Sequence, residues 1–270
     1  MTNTKFRKRA LLSSVAMLLV ALVALGSATF AWFSTTNTAS ASSMTAKTNR
    51  ASNILLNEYN TADTALAHSW AQTLTFTQNT AAGTTNGAAA MEPVTTKDFS
   101  TWNNVKAEVY NQGYNTTNTY TDVSSNIKSN GSYVKYTTLY IMNTGENTAA
   151  TINTAVTYAD DSNTLGSNYI RVALIPRNAG SKDVTAKGNQ IIFGDGNDRS
   201  KETAGWTEDG QTANSVVTGP MGTPQSLGTL TKDAVYGYDV YVYFEGTDFD
   251  CKDAYAGGNF NITFNVAKTA

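Results

Sequence analysis

The C-terminal segment of the chain alternates strictly between apolar and polar residues. Phe260, Ile262, Phe264 and Val266 occupy every second position, and Asn or Thr stands between them. A period of two places these four side chains on one face of a β-strand and the polar side chains on the other. The pattern predicts a strand with one face in a core and the other toward solvent.

The same alternation recurs along the chain. Two further sets of residues each share a face: Ile152, Val156 and Tyr158, and Trp70, Leu74 and Phe76. Three segments rich in Val, Ile, Tyr and Thr predict central strands: 133–142, 169–175 and 235–244. Turn residues such as Asn143-Thr144-Gly145 and Gly257-Gly258 separate these segments. We therefore expect an all-β fold, a single β-sandwich or jelly roll.

The N-terminus carries a basic cluster followed by an apolar run. Four basic side chains between residues 5 and 9 precede an uninterrupted apolar segment, 15–25, and small residues follow it. This order is typical of a secretory signal peptide, because the basic end stays in the cytoplasm while the apolar helix enters the bilayer. We predict a signal helix over residues 1–31. The apolar stretch 10–33 is long enough to span a bilayer, so retention as an anchor stays open.

The chain that remains after cleavage is acidic and poor in charge. Residues 1–31 hold four of the 19 Lys and Arg and none of the 21 Asp and Glu, which leaves 15 basic and 21 acidic side chains, a net charge of −6. Such a chain has no electrostatic reason to bind nucleic acid or anionic lipid. We expect no nucleic-acid partner, and membrane contact only through the signal helix before cleavage.

Few residues are suited to catalysis. The single histidine, His68, and the single cysteine, Cys251, indicate neither a zinc ligand set nor a Ser–His–Asp triad. We expect a protein that is not an enzyme, has no cofactor and has no internal disulfide. Two acidic loops, 195–198 and 248–253, lack the EF-hand spacing, and Ca²⁺ binding there stays open.

Residues 32–50 form a segment of distinct composition. They are rich in Thr, Ser and Ala and contain neither Pro nor Gly. We interpret them as an extended arm that precedes a β-sandwich domain of residues 51–270. The arm is either disordered or a strand that needs a partner.

Two segments resemble a known group of exported proteins. Segment 26–34, GSATFAWFS, resembles the signal peptides processed by the dedicated SipW-type signal peptidase of Gram-positive bacteria. If the cleavage position of these signal peptides is carried over to this sequence, cleavage falls between Ala31 and Trp32. Segment 241–251, YVYFEGTDFDC, resembles the C-terminal block of such proteins. The matching residues of that block are Glu245, Gly246, Asp248, Asp250 and Cys251.

This family includes the TasA biofilm-fibre proteins and the camelysin-like surface proteins. The resemblance implies a secreted protein with a single jelly-roll or Ig-like β-sandwich. It also implies that its partners are the signal peptidase during export and then copies of itself. In TasA-type assembly the freed N-terminal arm of one subunit completes the sheet of the next. This is physically reasonable, because an incomplete sheet exposes unpaired N–H and C=O groups. The candidate donor positions are Trp32, Phe33, Ser34, Ala39, Ala41 and Met44.

Three functions follow as hypotheses. The first is a secreted structural subunit that assembles into fibres by donor-strand exchange in a biofilm matrix or at the cell surface. The second is a monomeric, surface-displayed adhesion or glycan-binding module, in which Trp70, Trp102 and Trp206 stack on sugars. The third, a camelysin-like protease, is disfavoured by the missing zinc ligands.

Overall fold

The alternating segments form strands in the computed structural model of the chain. The structure describes the following residues: Met17, 40–48, 54–58, 70–76, 91–96, 98–106, 119–129, 131–145, 149–160, 169–181, 183–194, 217–246 and 259–269. The predicted signal helix lies outside these residues except for Met17. The loops 195–198 and 248–253, His68 and Trp206 also lie outside them.

Thirteen strands occur in the described part of the chain. They are β1 Ser40–Thr48, β2 Ile54–Asn57, β3 Thr73–Thr75, β4 Val94–Thr96, β5 Trp102–Lys106, β6 Thr119–Asp122, β7 Val134–Asn143, β8 Ala149–Asp160, β9 Ile170–Pro176, β10 Ile191–Phe193, β11 Gln225–Thr231, β12 Val235–Phe244 and β13 Asn259–Thr269. A 3₁₀ turn spans Ser124–Asn126. The all-β prediction is confirmed.

The strands form three sheets. The first sheet has the order β11-β8-β13-β1-β3, the second β10-β9-β12-β7-β2, and the third β4-β5-β6. The pairs between these strands are antiparallel, with the single exception of β1 and β13, which run parallel. The first and second sheets contribute side chains to one continuous apolar cluster. They therefore enclose a common core in a β-sandwich-like arrangement.

The predicted central strands supply most of this core. Phe260, Ile262, Phe264 and Val266 of β13 are fully buried, as their alternation predicted. The predicted segment 235–244 coincides with β12, which buries alternate residues in the same cluster. Strands with a strong period of two thus form the centres of both sheets.

The third sheet covers the far face of the second. Val94, Phe99 and Trp102 form an apolar cluster there with Tyr241 and Tyr243 of β12. The indole of Trp102 meets the Tyr243 ring edge to face, with 5.1 Å between the centroids. β12 is consequently buried on both faces. The sequence did not predict this layer, because its strands are only three to five residues long.

The outer face of the first sheet is polar and uncharged along its central row. Thr75, Thr45, Thr263 and Thr157 follow one another in register across β3, β1, β13 and β8. The hydroxyls of Thr45 and Thr263 lie 3.3 Å apart. Each of these threonines is half-buried or exposed, so this face needs no covering layer.

Part of the predicted N-terminal arm lies in the first sheet. Residues 40–48 form β1 there, and the compact unit that contains the sheets runs from Thr38 to Ala270. β1 buries the side chains of Met44 and Ala46 and has a hydrogen-bonding partner on each edge. The boundary between an arm over 32–50 and a domain over 51–270 stays a prediction.

A lysine is buried on the core-facing side of β7. The Lys135 side chain is fully buried, and its Nζ donates a hydrogen bond to the Gly131 carbonyl at 2.9 Å. Burial disfavours the charged ammonium and lowers the pKa of Lys135 to about 8. The folded protein therefore binds this proton less tightly than the unfolded chain does.

This difference predicts a pH dependence of stability. Between pH 8 and the unfolded pKa of 10.5 the unfolded chain holds the Lys135 proton and the folded chain does not, so the free energy of unfolding rises with pH. Urea unfolding at pH 7.5 and 9.5 should show a larger rise for the natural chain than for Lys135→Met. Equal rises in the two proteins would contradict the assignment.

Candidate functional site

The N-terminal strand β1 occupies an interior position of the first sheet. It lies between β13 and β3. Along β13 the parallel register runs from Ser40 opposite Asn259 to Thr48 opposite Val266, with an irregularity between Ala41 and Ser43. Strands that are far apart in sequence are thus neighbours in the sheet, and the partners Thr45 and Thr263 are separated by 218 residues.

The opposite edge of β1 is held by a short antiparallel ladder. Among the described residues three pairs join β1 to β3, centred on Ala46 opposite Leu74. Beyond the ladder, the Phe76 N–H donates to the Met44 carbonyl at 3.0 Å. The Thr48 N–H donates to the Gln72 carbonyl at 2.8 Å. β1 therefore has main-chain partners on both edges, but the β3 side is much the shorter.

The side chains of β1 alternate between core and solvent. Met44 and Ala46 are fully buried, whereas Lys47 is exposed. Met44 stands beside Ile262 and Ala46 beside Phe264, so the buried residues of the two strands share one face. Phe76 packs edge to face against Phe264, with 5.6 Å between the ring centroids. β1 thus closes the core at this point.

The composition of β1 suits a strand that is seated between two others. Small side chains and threonines fit a half-buried pleated surface, and the absence of Pro lets every residue join a ladder. Residues 49–53 alone connect β1 to β2, the next strand in the chain. A short connection between exchangeable elements is a known route to strand or domain swapping.

Loss of β1 would leave two defects. β13 would present an unpaired edge, and the buried residues Ile262, Phe264 and Phe76 would lose the cover of Met44 and Ala46. Both defects favour pairing with another strand of similar pattern. We call this place the seat of β1; it consists of the β13 and β3 edges and the core beneath them.

The predicted donor positions divide between described and undescribed residues. Ala41 and Met44 lie in β1, and the Met44 side chain is fully buried. Trp32, Phe33, Ser34 and Ala39 lie outside the described residues, as do the cleavage positions Ala31 and Trp32. The partner strands β13 and β3 were each predicted as strands from their alternation, but their adjacency to β1 was not.

The family-like C-terminal block lies elsewhere in the fold. Glu245 and Gly246 are buried where the end of β12 meets β4. The Glu245 N–H donates to the Tyr169 carbonyl at 2.8 Å, and the Gly246 N–H donates to the Val94 carbonyl at 3.0 Å. The bond from Gly246 to Val94 of β4 joins the second sheet to the third. Asp248, Asp250 and Cys251 lie outside the described residues.

A cluster of polar and charged side chains surrounds Asp239 on β12. Arg177 donates to the Asp239 Oδ1 from Nε at 2.8 Å and from Nη2 at 2.6 Å. The Tyr136 hydroxyl donates to the same oxygen at 3.0 Å, and Lys128 Nζ lies 3.3 Å from Oδ2. Arg177 Nη1 donates to the Tyr140 hydroxyl at 2.7 Å.

The electrostatics of this cluster indicate a structural role. Burial lowers the pKa of Arg177, but the Asp239 carboxylate more than reverses this effect and holds the pKa above its usual range. Burial, and then the same carboxylate, raises the pKa of the Tyr136 hydroxyl well above its ordinary value. Both groups therefore keep their protons, and the cluster ties β7, β12 and the residue after β9 together. Sequence could not reveal it, because its members lie on separate elements.

The tryptophans offer no sugar-stacking platform among the described residues. Trp102 is 1% exposed and packs on Phe99 and Tyr241. Trp70 is half-buried against a small cluster around Tyr140. Their positions favour core packing over ligand stacking.

Two further features were sought within the described ranges. No group of three or more His, Cys, Asp and Glu side chains stands close enough there to hold a metal ion. No helix in that part of the chain has the length and apolar character needed to cross a membrane. Comparison of the chain with family models, curated proteins and solved structures gave no match.

Because Met44 is buried, its truncation tests whether β1 closes the core. Met44→Ala removes the larger of the two side chains that β1 places in the core, and such truncations cost about 2–5 kcal/mol. Guanidinium unfolding should show this loss, whereas Lys47→Ala on the exposed face of the same strand should change the free energy of unfolding by less than about 0.5 kcal/mol. Equal effects of the two substitutions would show that β1 does not close the core.

Proposed function

We propose that the protein is a secreted structural subunit that assembles into extracellular or cell-surface fibres by exchange of its N-terminal strand β1. Its principal partner is a second copy of the same chain, and a dedicated signal peptidase acts on it during export. Support for export comes from the basic-then-apolar order of residues 1–31 and from the net charge of −6 that follows their removal.

The position of β1 is the observation that carries the proposal. β1 is buried through Met44 and Ala46, yet its only chain connection to the other described strands runs through residues 49–53. The same seat can therefore accept a β1 strand from this molecule or from a neighbour with identical hydrogen bonds and core contacts. Because the exchanged segment and its seat are different surfaces, the contact is head-to-tail, and it builds an open filament when the rotation between successive copies does not close a ring.

We also propose that the sandwich is of the jelly-roll or Ig-like type. The support is its two five-stranded sheets, which share one core, and the interleaving of strands that are distant in sequence within each sheet.

Intermolecular cross-linking tests the exchange directly. In a Cys251→Ser chain that begins at Trp32, Thr45→Cys and Thr263→Cys are made as separate proteins and mixed under assembly conditions. The two positions face each other in register, with hydroxyls 3.3 Å apart, so oxidation should link two chains when β1 of one sits in the sheet of the other. Negative-stain microscopy should show filaments in the same sample.

A matched pair separates exchange from random collision. Thr45→Cys mixed with Thr229→Cys places the second thiol on β11, which is two strands removed from β13, and should give no linked chains. A second check uses a chain that begins at Asn49, which should remain monomeric and should gain thermal stability from a synthetic 38–48 peptide but not from its Met44→Asp form. Absence of both cross-links and filaments over days at high concentration would refute the proposal.

A further inference from the structure

The connection between β9 and β10 folds back across the sandwich before it reaches β10. Its segment 184–189, the edge latch, first runs beside the start of β12. The N–H groups of Thr185 and Ala186 both donate to the Val235 carbonyl, at 3.0 and 3.2 Å. In return the Val235 N–H donates to the Thr185 hydroxyl at 2.7 Å. The latch is thereby fixed to the second sheet.

The end of the latch contacts β11, the outermost strand of the first sheet. The Asn189 N–H donates to the Leu227 carbonyl at 2.9 Å. The Asn189 side-chain amide donates to the neighbouring Ser226 carbonyl at 3.1 Å. One residue of the latch therefore binds two successive carbonyls of the edge strand, which otherwise pairs only with β8 among the described strands.

A glycine permits this close approach. A Cβ atom at Gly188 would lie 3.0 Å from the Leu227 carbonyl oxygen and 2.8 Å from Cζ of the buried Tyr238 ring. Neither neighbour is free to move, since Leu227 belongs to a strand and Tyr238 is fully buried. Only glycine lets the latch backbone lie this close to β11.

A second amide covers the other end of β11. Asn143, which is fully buried, donates from its side-chain nitrogen to the Leu230 carbonyl at 3.0 Å. Its own Oδ1 accepts the Gly145 N–H at 3.1 Å. Three carbonyls of β11 are thus bonded to groups from outside the β8–β11 ladder. The strand also has a register irregularity between Ser226 and Gly228.

Exposed edge strands tend to pair with another chain, and a covering loop or a bulge is a common protection. We infer that the edge latch is a guard, which closes the β11 edge to a strand from a second copy of this chain. β11 and β3 stand at opposite ends of the first sheet. The guard therefore acts far from the seat of β1, and its action does not depend on strand exchange.

The test first prevents the exchange of β1 between molecules. In a Cys251→Ser chain that begins at Trp32, Thr45→Cys and Thr263→Cys together lock β1 into its own sheet by a disulfide, so any remaining association uses another surface. Gly188→Val is then added to push the latch off β11, and Asn189→Ala is added as a milder change. The matched control is Asn178→Ala, an exposed asparagine of the same connection.

Hydrogen exchange and light scattering are then measured for each folded variant. Hydrogen exchange at low concentration should be at least tenfold faster for the amides of residues 226–231 in Gly188→Val, and severalfold faster in Asn189→Ala. Light scattering at high concentration should show at least a twofold rise in mean mass for Gly188→Val, and none for the locked parent or Asn178→Ala. Should Gly188→Val fail to fold, Asn189→Ala provides the same comparison.

Two results would overturn the inference. Unchanged exchange in both latch variants would show that the latch does not hold the edge. Faster exchange with an unchanged monomer mass would show that the open edge does not attract a second copy. Neither result bears on fibre formation through β1, because β1 is locked throughout.

Discussion

The structure depends on the pairing of β13 along both of its edges. This strand buries four large apolar side chains, and its main chain is bonded to β8 on one side and to β1 on the other. A strand in that position cannot lose a neighbour without exposing main-chain polar groups and core at once. The distant N-terminal segment is therefore needed to complete the sheet that the C-terminal segment begins.

The two ends of the first sheet differ in how their main-chain groups are bonded. At β11 the carbonyls are occupied by amides from the edge latch and from Asn143. Toward the other edge, three pairs of described residues join β1 to β3, while the longer parallel register joins β1 to β13. The two ends of the sheet therefore differ, and this asymmetry is compatible with the proposed head-to-tail assembly.

The strongest alternations gave the most reliable predictions. β13 was located from sequence because its apolar residues recur at every second position, and β12 because its segment is rich in Val and Tyr. β1 was harder to place from sequence, since Met44 and Ala46, which are buried, stand among small and hydroxyl-bearing residues without a long apolar alternation. Its parallel pairing with β13 could not be predicted, because a period of two specifies which face is buried but not which strand lies alongside.

The site could be predicted only in part for the same reason. Met44 was among the candidate donor residues, and its burial agrees with a seated strand. The third sheet, the Asp239 cluster and the edge latch arise from contacts between elements that are far apart in the chain. Short strands such as β4 and single residues such as Gly188 carry no periodic signal, so their roles appear only once the chain is folded.

The connection between β1 and β2 sets a length scale for any fibre built by exchange. Thr48 and Ile54 are the end of one strand and the start of the next, and the six steps between them reach at most about 20 Å. A β1 strand seated in a neighbour therefore keeps its own body within that radius of the acceptor sheet. In the proposed filament, successive bodies would therefore stand close together, which favours a stiff rod over a flexible chain of separate bodies.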